Sequence, residues 1–273
     1  MKPFKLKIGL LLLSLCLLLL ITIAYTTEDK MVIVGEEFPP FEFIKDDKAV
    51  GFDIDIVKHI FKNMNIPVKF QILPWKRAWK MVETGKADAV LSTSRKMNRE
   101  PYVWYPKEDM WVSEYVFFVR RDKMQKNFEG YKTAVQQKLQ IGIIQGNSYH
   151  PTFWHAFPYK NGATTFQGET VRGLNNQLQG AITLKQNIKK LAARRFDLFI
   201  SDKILGTYTA RLLGLQDQIT YYDLVLYSKP YPMPFVKRSS YPNIKQIANE
   251  FEKKLKIFKK SKEYQNIVKN WLN

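Results

Sequence analysis

Residues 30–64 read KMVIVGEEFPPFEFIKDDKAVGFDIDIVKHIFKNM, and the change of periodicity inside this stretch decides the fold class. MVIVG (Met31–Gly35) is short, β-branched and ended by glycine, which predicts a buried strand. EEFPPFEF reads as a loop stiffened by Pro39 and Pro40. FDIDIVKHIFKNM then sets Ile54, Val57, Ile60 and Phe61 on one helical face. Downstream, VKFQIL (68–73) predicts a second strand, WKRAWKMVETG (75–85) a helix stopped by Gly85, and ADAVLS (87–92) a third strand. This β-α-β-α-β order is that of a mostly parallel sheet with helices packed on it.

A second α/β unit follows. EYVFFVRR (114–121), LQIGIIQG (139–146) and FDLFISD (196–202) predict strands, and LKQNIKKLAARR (184–195) a helix. MPFVKR (233–238) predicts a last short strand before a C-terminal helix over 243–272. DLFISD echoes DAVLSTS of the first unit: each starts with Asp and ends in polar side chains. Two such units predict a cleft between polar strand ends, where open α/β sheets bind ligands.

The 273 residues are enough for one or two cores. Lys2, Lys5 and Lys7 precede the apolar run 8–25, the pattern of an export signal, with cleavage expected after Ala24. The run is also long enough to stay as a membrane anchor. Cys16, the single cysteine, lies inside it; Leu15 before it and the apolar run after it argue against a lipoprotein site. Export would leave no cysteine for a disulfide, so the core has to hold the fold. The net charge is +18, and in an exported protein such a surplus points to an acidic membrane or partner surface rather than to nucleic acid.

LSTSRKMNRE (91–100) passes from a strand end through three hydroxyl residues into arginine. Hydroxyls, free backbone N–H groups and a guanidinium are the parts of a small anion site; a polar loop capping the next helix is the plainer reading.

Four fragments carry a resemblance: EEFPPFEFIKDDKAVGFDIDIVKHI, LPWKRAWKMVETGKADAVLSTSRKMNRE, IGIIQGNSY and LAARRFDLFISD. In this order and spacing they resemble bacterial extracellular solute-binding proteins of family 3, the periplasmic amino-acid-binding components of ABC transporters. The resemblance implies a type II periplasmic-binding-protein fold of class α/β. Two lobes, each a mostly parallel sheet with flanking helices, are joined by two hinge crossings and close on one small polar ligand. It divides the chain into a signal peptide (1–24), a first lobe (28–112 plus 232–273) and a second lobe (113–231). The implied partners are an amino acid or related zwitterion and an inner-membrane ABC permease, for a periplasmic monomer with no cofactor and no metal.

Position by position, the resemblance implies that Arg99 clamps the ligand carboxylate through two parallel hydrogen bonds, with a surface ion pair to Glu100 as the alternative. It gives Ser94 a share of that carboxylate, and Ser92 a backbone acceptor for the ammonium. Ser148 becomes the second lobe's half of the clamp, unless Asn147 and Ser148 simply cap a helix. Asp202 is matched to the ligand ammonium, and Phe38 and Trp75 to aromatic walls. The chain departs from the family at Lys96 and Asn98, where the family often has Thr and Glu, at Arg95, which adds positive charge, and at YKTAVQQKLQ (131–140) before the second lobe's first strand. Arg77, Arg95 or Lys96 in the site would favour an acidic or strongly polar ligand side chain; Glu36 and Glu37 beside Phe38 would favour a cationic one.

Catalysis is not expected. His59, His150 and His155 complete no familiar metal spacing, and no nucleophile-elbow, zinc-protease or phosphate-loop pattern occurs. The alternative to transport is a periplasmic ligand-sensing or accessory binding protein.

Overall fold

The computed structural model describes residues 30–168 and 173–272; the expected signal segment and Cys16 lie outside the described residues. Strand β1 (Met31–Gly35) opens the first lobe, as its β-branched run predicts. The expected proline loop is followed by a hairpin, β2 (Phe43–Lys45) and β3 (Lys48–Val50), turned at Asp46 and Asp47, both with positive φ. Left-handed Asp-Asp is the backbone of a tight hairpin turn, a signal that the neighbouring prolines hide in the sequence. Helix α1 (Phe52–Lys62) starts at Gly51, where a Cβ would lie 2.2 Å from the Phe41 carbonyl oxygen, so only glycine lets the two segments approach.

Strand β4 (Val68–Ile72), helix α2 (Trp75–Glu83) and strand β5 (Ala89–Val90) complete the first βαβαβ run. β1 lies between β4 and β5, parallel to both. Only Ala89 and Val90 of the third expected strand join the ladder, because the chain turns off at Ser92, whose φ is +41°. Beyond a 3₁₀ turn (Met97–Arg99) lies β6 (Val103–Trp104).

The second lobe is built on β7 (Trp111–Arg120), which crosses from the first lobe. Helix α3 (Tyr131–Gln136), β8 (Ile141–Ile144), helix α4 (Pro151–Ala156), β9 (Leu178–Ala181), helix α5 (Leu184–Ala192), β10 (Leu198–Asp202), helix α6 (Lys203–Leu212) and β11 (Ile219–Tyr221) follow. Its sheet order is β11-β7-β10-β8-β9, with apolar clusters on both faces.

Strand β12 (Tyr227–Tyr231) returns antiparallel to β7, and β13 (Phe235–Val236) re-enters the first sheet between β5 and β6. The two crossings therefore run side by side as a hydrogen-bonded ribbon, pairing Trp111 with Tyr231 and Ser113 with Lys229. The echo between the two lobes has a common cause. Asp88 accepts the Val32 N–H at 2.6 Å and Asp197 the Gln140 N–H at 2.8 Å, each tying the start of one strand to its neighbour.

The single expected C-terminal helix is two, α7 (Ile244–Phe258) and α8 (Lys262–Leu272). Ser261 breaks it, its hydroxyl accepting the Tyr264 N–H at 3.1 Å as an N-cap does. The break folds α8 back onto α1, where the Trp271 indole donates to Asp55 at 2.8 Å. Among the described residues no helix is long and apolar enough to cross a membrane.

Candidate functional site

Where the lobes face each other lies a cavity of about 450 Å³. Glu36, Phe38, Pro39 and Ser92 wall it from the first lobe, and Trp111, Ser113, Tyr115, Lys229 and Tyr231 from the crossing ribbon. Ile144, Asn147, Ser148, Thr183, Lys185, Leu205 and Tyr208 are among the residues that close it from the second lobe.

Local sequence explains the ribbon wall. Alternate residues of a strand share a face, so Trp111, Ser113 and Tyr115 point one way. Opposite them, Lys229 and Tyr231 do the same. Trp111 is the centre of a ring column: it stacks on Phe41 at 3.7 Å and on Tyr231 at 4.2 Å, and Phe38 lies beside it, 5.5 Å from Phe41 and 6.4 Å from Trp111. Each such contact contributes about 0.5–1.5 kcal/mol beyond burial, so the column fixes the site's apolar floor to the hinge.

Beneath this floor lies an acidic pair. Glu42 and Asp53 are fully buried, and the Ser92 hydroxyl approaches Glu42 Oε2 at 2.7 Å and Asp53 Oδ2 at 3.2 Å. The Trp111 indole N–H also donates to Asp53, at 3.3 Å. Glu42 Oε1 and Asp53 Oδ1 have no partner. One hydroxyl hydrogen cannot serve two carboxylates, so one carboxyl keeps its proton and donates in turn. Burial raises the pKa of both, Asp53 to about 7, and at Glu42 the Asp53 charge pushes further the same way.

The first-lobe anion parts come together as a unit. Arg99 Nη1 donates to the Ser94 carbonyl at 3.0 Å and approaches its hydroxyl at 3.4 Å. The guanidinium lies 5.0 Å from the Trp75 ring and 5.1 Å from Trp79, so Trp75 packs on Arg99 rather than walling the cavity. Glu36 and Tyr231, both in the cavity wall, are its electrostatic neighbours. Arg99 makes no ion pair with Glu100. Arg95 turns away to the Pro106 carbonyl at 2.5 Å and Asp109 at 3.0 Å, while Arg77 and Glu37 are exposed.

Across the cavity, Ser148 and Asn147 line the wall in the turn after β8. They cap no helix: α4 begins three residues later, capped by His150. Asp202 is 1% exposed and N-caps α6, accepting the Leu205 N–H at 2.7 Å and the Ser113 hydroxyl at 2.6 Å. It stands behind Ser113, which faces the cavity. Of the residues singled out in the sequence, then, Phe38, Ser92 and Ser148 line the cavity, Ser94 and Arg99 form one cluster at its edge, and Trp75 and Asp202 lie one layer out. Sequence reading missed Trp111, Ser113, Tyr115, Lys229 and Tyr231; their signal is the alternation in WVSEY and KPY at the two crossings. No histidine lines the cavity, and no described cluster of three His, Cys, Asp or Glu side chains is placed to hold a metal ion.

The sequence pattern of the bacterial extracellular solute-binding proteins, family 3, matches residues 31–273. No curated protein matches the sequence. Similar solved structures include the following. An ancestral cationic amino acid solute-binding protein is 18% identical with a TM-score of 0.67, over 89% of this chain and 96% of that one. The arginine-, lysine-, histidine-binding protein ArtJ from Geobacillus stearothermophilus is 20% identical with a TM-score of 0.58, over 89% and 95%. A histidine kinase sensor domain with similarity to periplasmic binding proteins is 18% identical with a TM-score of 0.63, over 90% and 97%. At these identities the likeness is one of fold, the type II two-lobed α/β architecture.

Proposed function

The chain belongs to the bacterial extracellular solute-binding proteins of family 3, and from that membership we propose that it captures an amino acid or related zwitterion between its two lobes in the periplasm and delivers it to an ABC permease. The observation that carries this reading is the cavity itself, bounded by both lobes and the crossing ribbon, with the Arg99–Ser94 cluster at its edge. Arg99 and Ser94 take the ligand carboxylate, with Ser148 completing the clamp from the second lobe. The Ser92 carbonyl and Asp202, through Ser113, take the ammonium. Phe38 lies along the side chain, and Trp75 holds the guanidinium in place. In this reading the lobes span 28–112 with 232–273 and 113–231, residues 1–24 are removed on export, and the mature protein is a monomer that binds without catalysis.

A panel of amino acids, dicarboxylates and polyamines, screened by thermal shift, tests this. Stabilisation by an amino acid with micromolar affinity, about −8 kcal/mol, is the expected result. Stabilisation only by ligands lacking a carboxylate removes Arg99 from the site. A second reading, a ligand-sensing or accessory lobe, draws support from the fold likeness to a kinase sensor domain. Finding permease and ATPase genes beside this one would favour transport, and their absence the sensing role.

A further inference from the structure

We infer that the ligand carries a second anionic group on its side chain, and that Lys229 is the residue that selects it. This rests on the solute-binding reading and narrows it to an acidic amino acid.

Lys229 lies on the crossing strand β12 and lines the cavity opposite Ser113. Its ammonium is 5.4 Å from the Tyr231 ring, and no carboxylate among the described residues pairs with it. Its charged neighbours are Lys96 and Arg99, two more cations. Burial first, and then these two charges, lower its pKa to about 8, the signature of a cation that lacks its counter-ion. Lys96 is shifted down in the same way, by burial and by Arg99.

The carboxylates nearby do not cancel this surplus. Asp202 is engaged by Ser113 and the α6 backbone, and Glu42 and Asp53 are sealed beneath Ser92, where one keeps its proton and the pair is held by the Ser92 hydroxyl and the Trp111 indole. Glu36 alone lines the cavity as an acid, and it faces Arg99. With Lys185, which lines the same cavity, four cations thus meet one carboxylate. A neutral zwitterion leaves the imbalance unchanged, a cationic amino acid enlarges it, and an amino dicarboxylate reduces it. Opposite charges in a partly desolvated cleft attract far more strongly than in bulk water, so this difference decides the preference. The cationic specificity stated for two of the similar structures is therefore not expected here.

Isothermal titration of the full chain with L-glutamate, L-aspartate, L-glutamine and L-lysine tests the assignment. The expected result is a preference of at least about tenfold for glutamate or aspartate over glutamine, with lysine weakest. Lys229→Met should abolish the acidic-over-neutral preference and Lys229→Arg should retain it. Glutamine or lysine binding as tightly as the acidic pair overturns the inference while leaving the solute-binding reading intact. A Lys229→Met protein that keeps the preference overturns the role of Lys229. If no amino acid binds the wild type, both readings fall together.

Discussion

The Ser92 hydroxyl lies 2.7 Å from the buried carboxyl of Glu42, with Asp53 on its other side at 3.2 Å. A residue that lines the ligand cavity thereby rests on a carboxyl pair that holds a proton. The folded-state pKa of Asp53 is raised to about 7, so the protonated form is favoured by folding. That contribution is complete below the unfolded value of about 4 and is lost as pH rises through about 7. Asp53→Asn removes it. The Tm of the variant relative to wild type should therefore climb between pH 4 and pH 8, by the equivalent of about 2–4 kcal/mol. Scanning calorimetry across this range checks the sign; a difference independent of pH means the pair is not protonated.

Arg99→Ala removes a charge-assisted clamp and leaves any bound carboxylate without its guanidinium donors. Ligand affinity should fall by about 2–5 kcal/mol, as titration calorimetry would measure. Arg99→Lys should recover only part of this, because an ammonium cannot form the bidentate fork, and it replaces the guanidinium that lies 5.0 Å from the Trp75 ring and 5.1 Å from the Trp79 ring. Full recovery by lysine excludes a bidentate clamp.

Asp202 separates two roles by substitution. Asn is as good an N-cap as Asp, so Asp202→Asn should cost under about 1 kcal/mol of stability, whereas Asp202→Ala loses the cap and leaves the Ser113 hydroxyl unpaired, costing about 1–3 kcal/mol. With Asn, an amino acid should lose more affinity than the matching carboxylate without an amino group. Equal losses for both ligands mean that Asp202 acts on the helix alone.

Gly206 sits within α6 where a Cβ would lie 2.1 Å from the Phe118 ring. Gly206→Ala gains up to about 1 kcal/mol of helix propensity but overpacks a buried ring at about 1–3 kcal/mol. The clash is with a side chain that is 1% exposed and has nowhere to move, so the variant should melt lower than wild type. A higher Tm shows that α6 lifts freely from the sheet.

Ligand can shift a lobe equilibrium only by its differential affinity for the open and closed forms. Arg99 and Ser94 belong to one side of the cavity and Ser148 to the other, so only a closed form satisfies a ligand that bridges them. Small-angle scattering should show a smaller radius of gyration with ligand, and no such change in Arg99→Ala at the same ligand concentration. An unchanged radius in the saturated wild type removes closure from the mechanism.

The β-α-β-α-β order of the first lobe was legible because it depends on neighbours in the chain. β-branched runs such as MVIVG, the helical face of Ile54, Val57, Ile60 and Phe61, and the stop at Gly85 are local patterns with local causes. The Ser94–Arg99 cluster was legible for the same reason: a 3₁₀ turn returns the arginine to a serine five residues earlier. Only the tertiary structure decided the rest. Ser113 meets Asp202 across 89 residues of chain, and Ser92 meets Glu42 across 50. Lys229 and Trp111 enter the cavity because the two crossings pair as a ribbon, and Trp75 leaves it because Arg99 offers its ring a cation. Periodicity says which face of an element is apolar, but not which polar strand end, folded against it from far along the chain, supplies the partner that a buried charge requires.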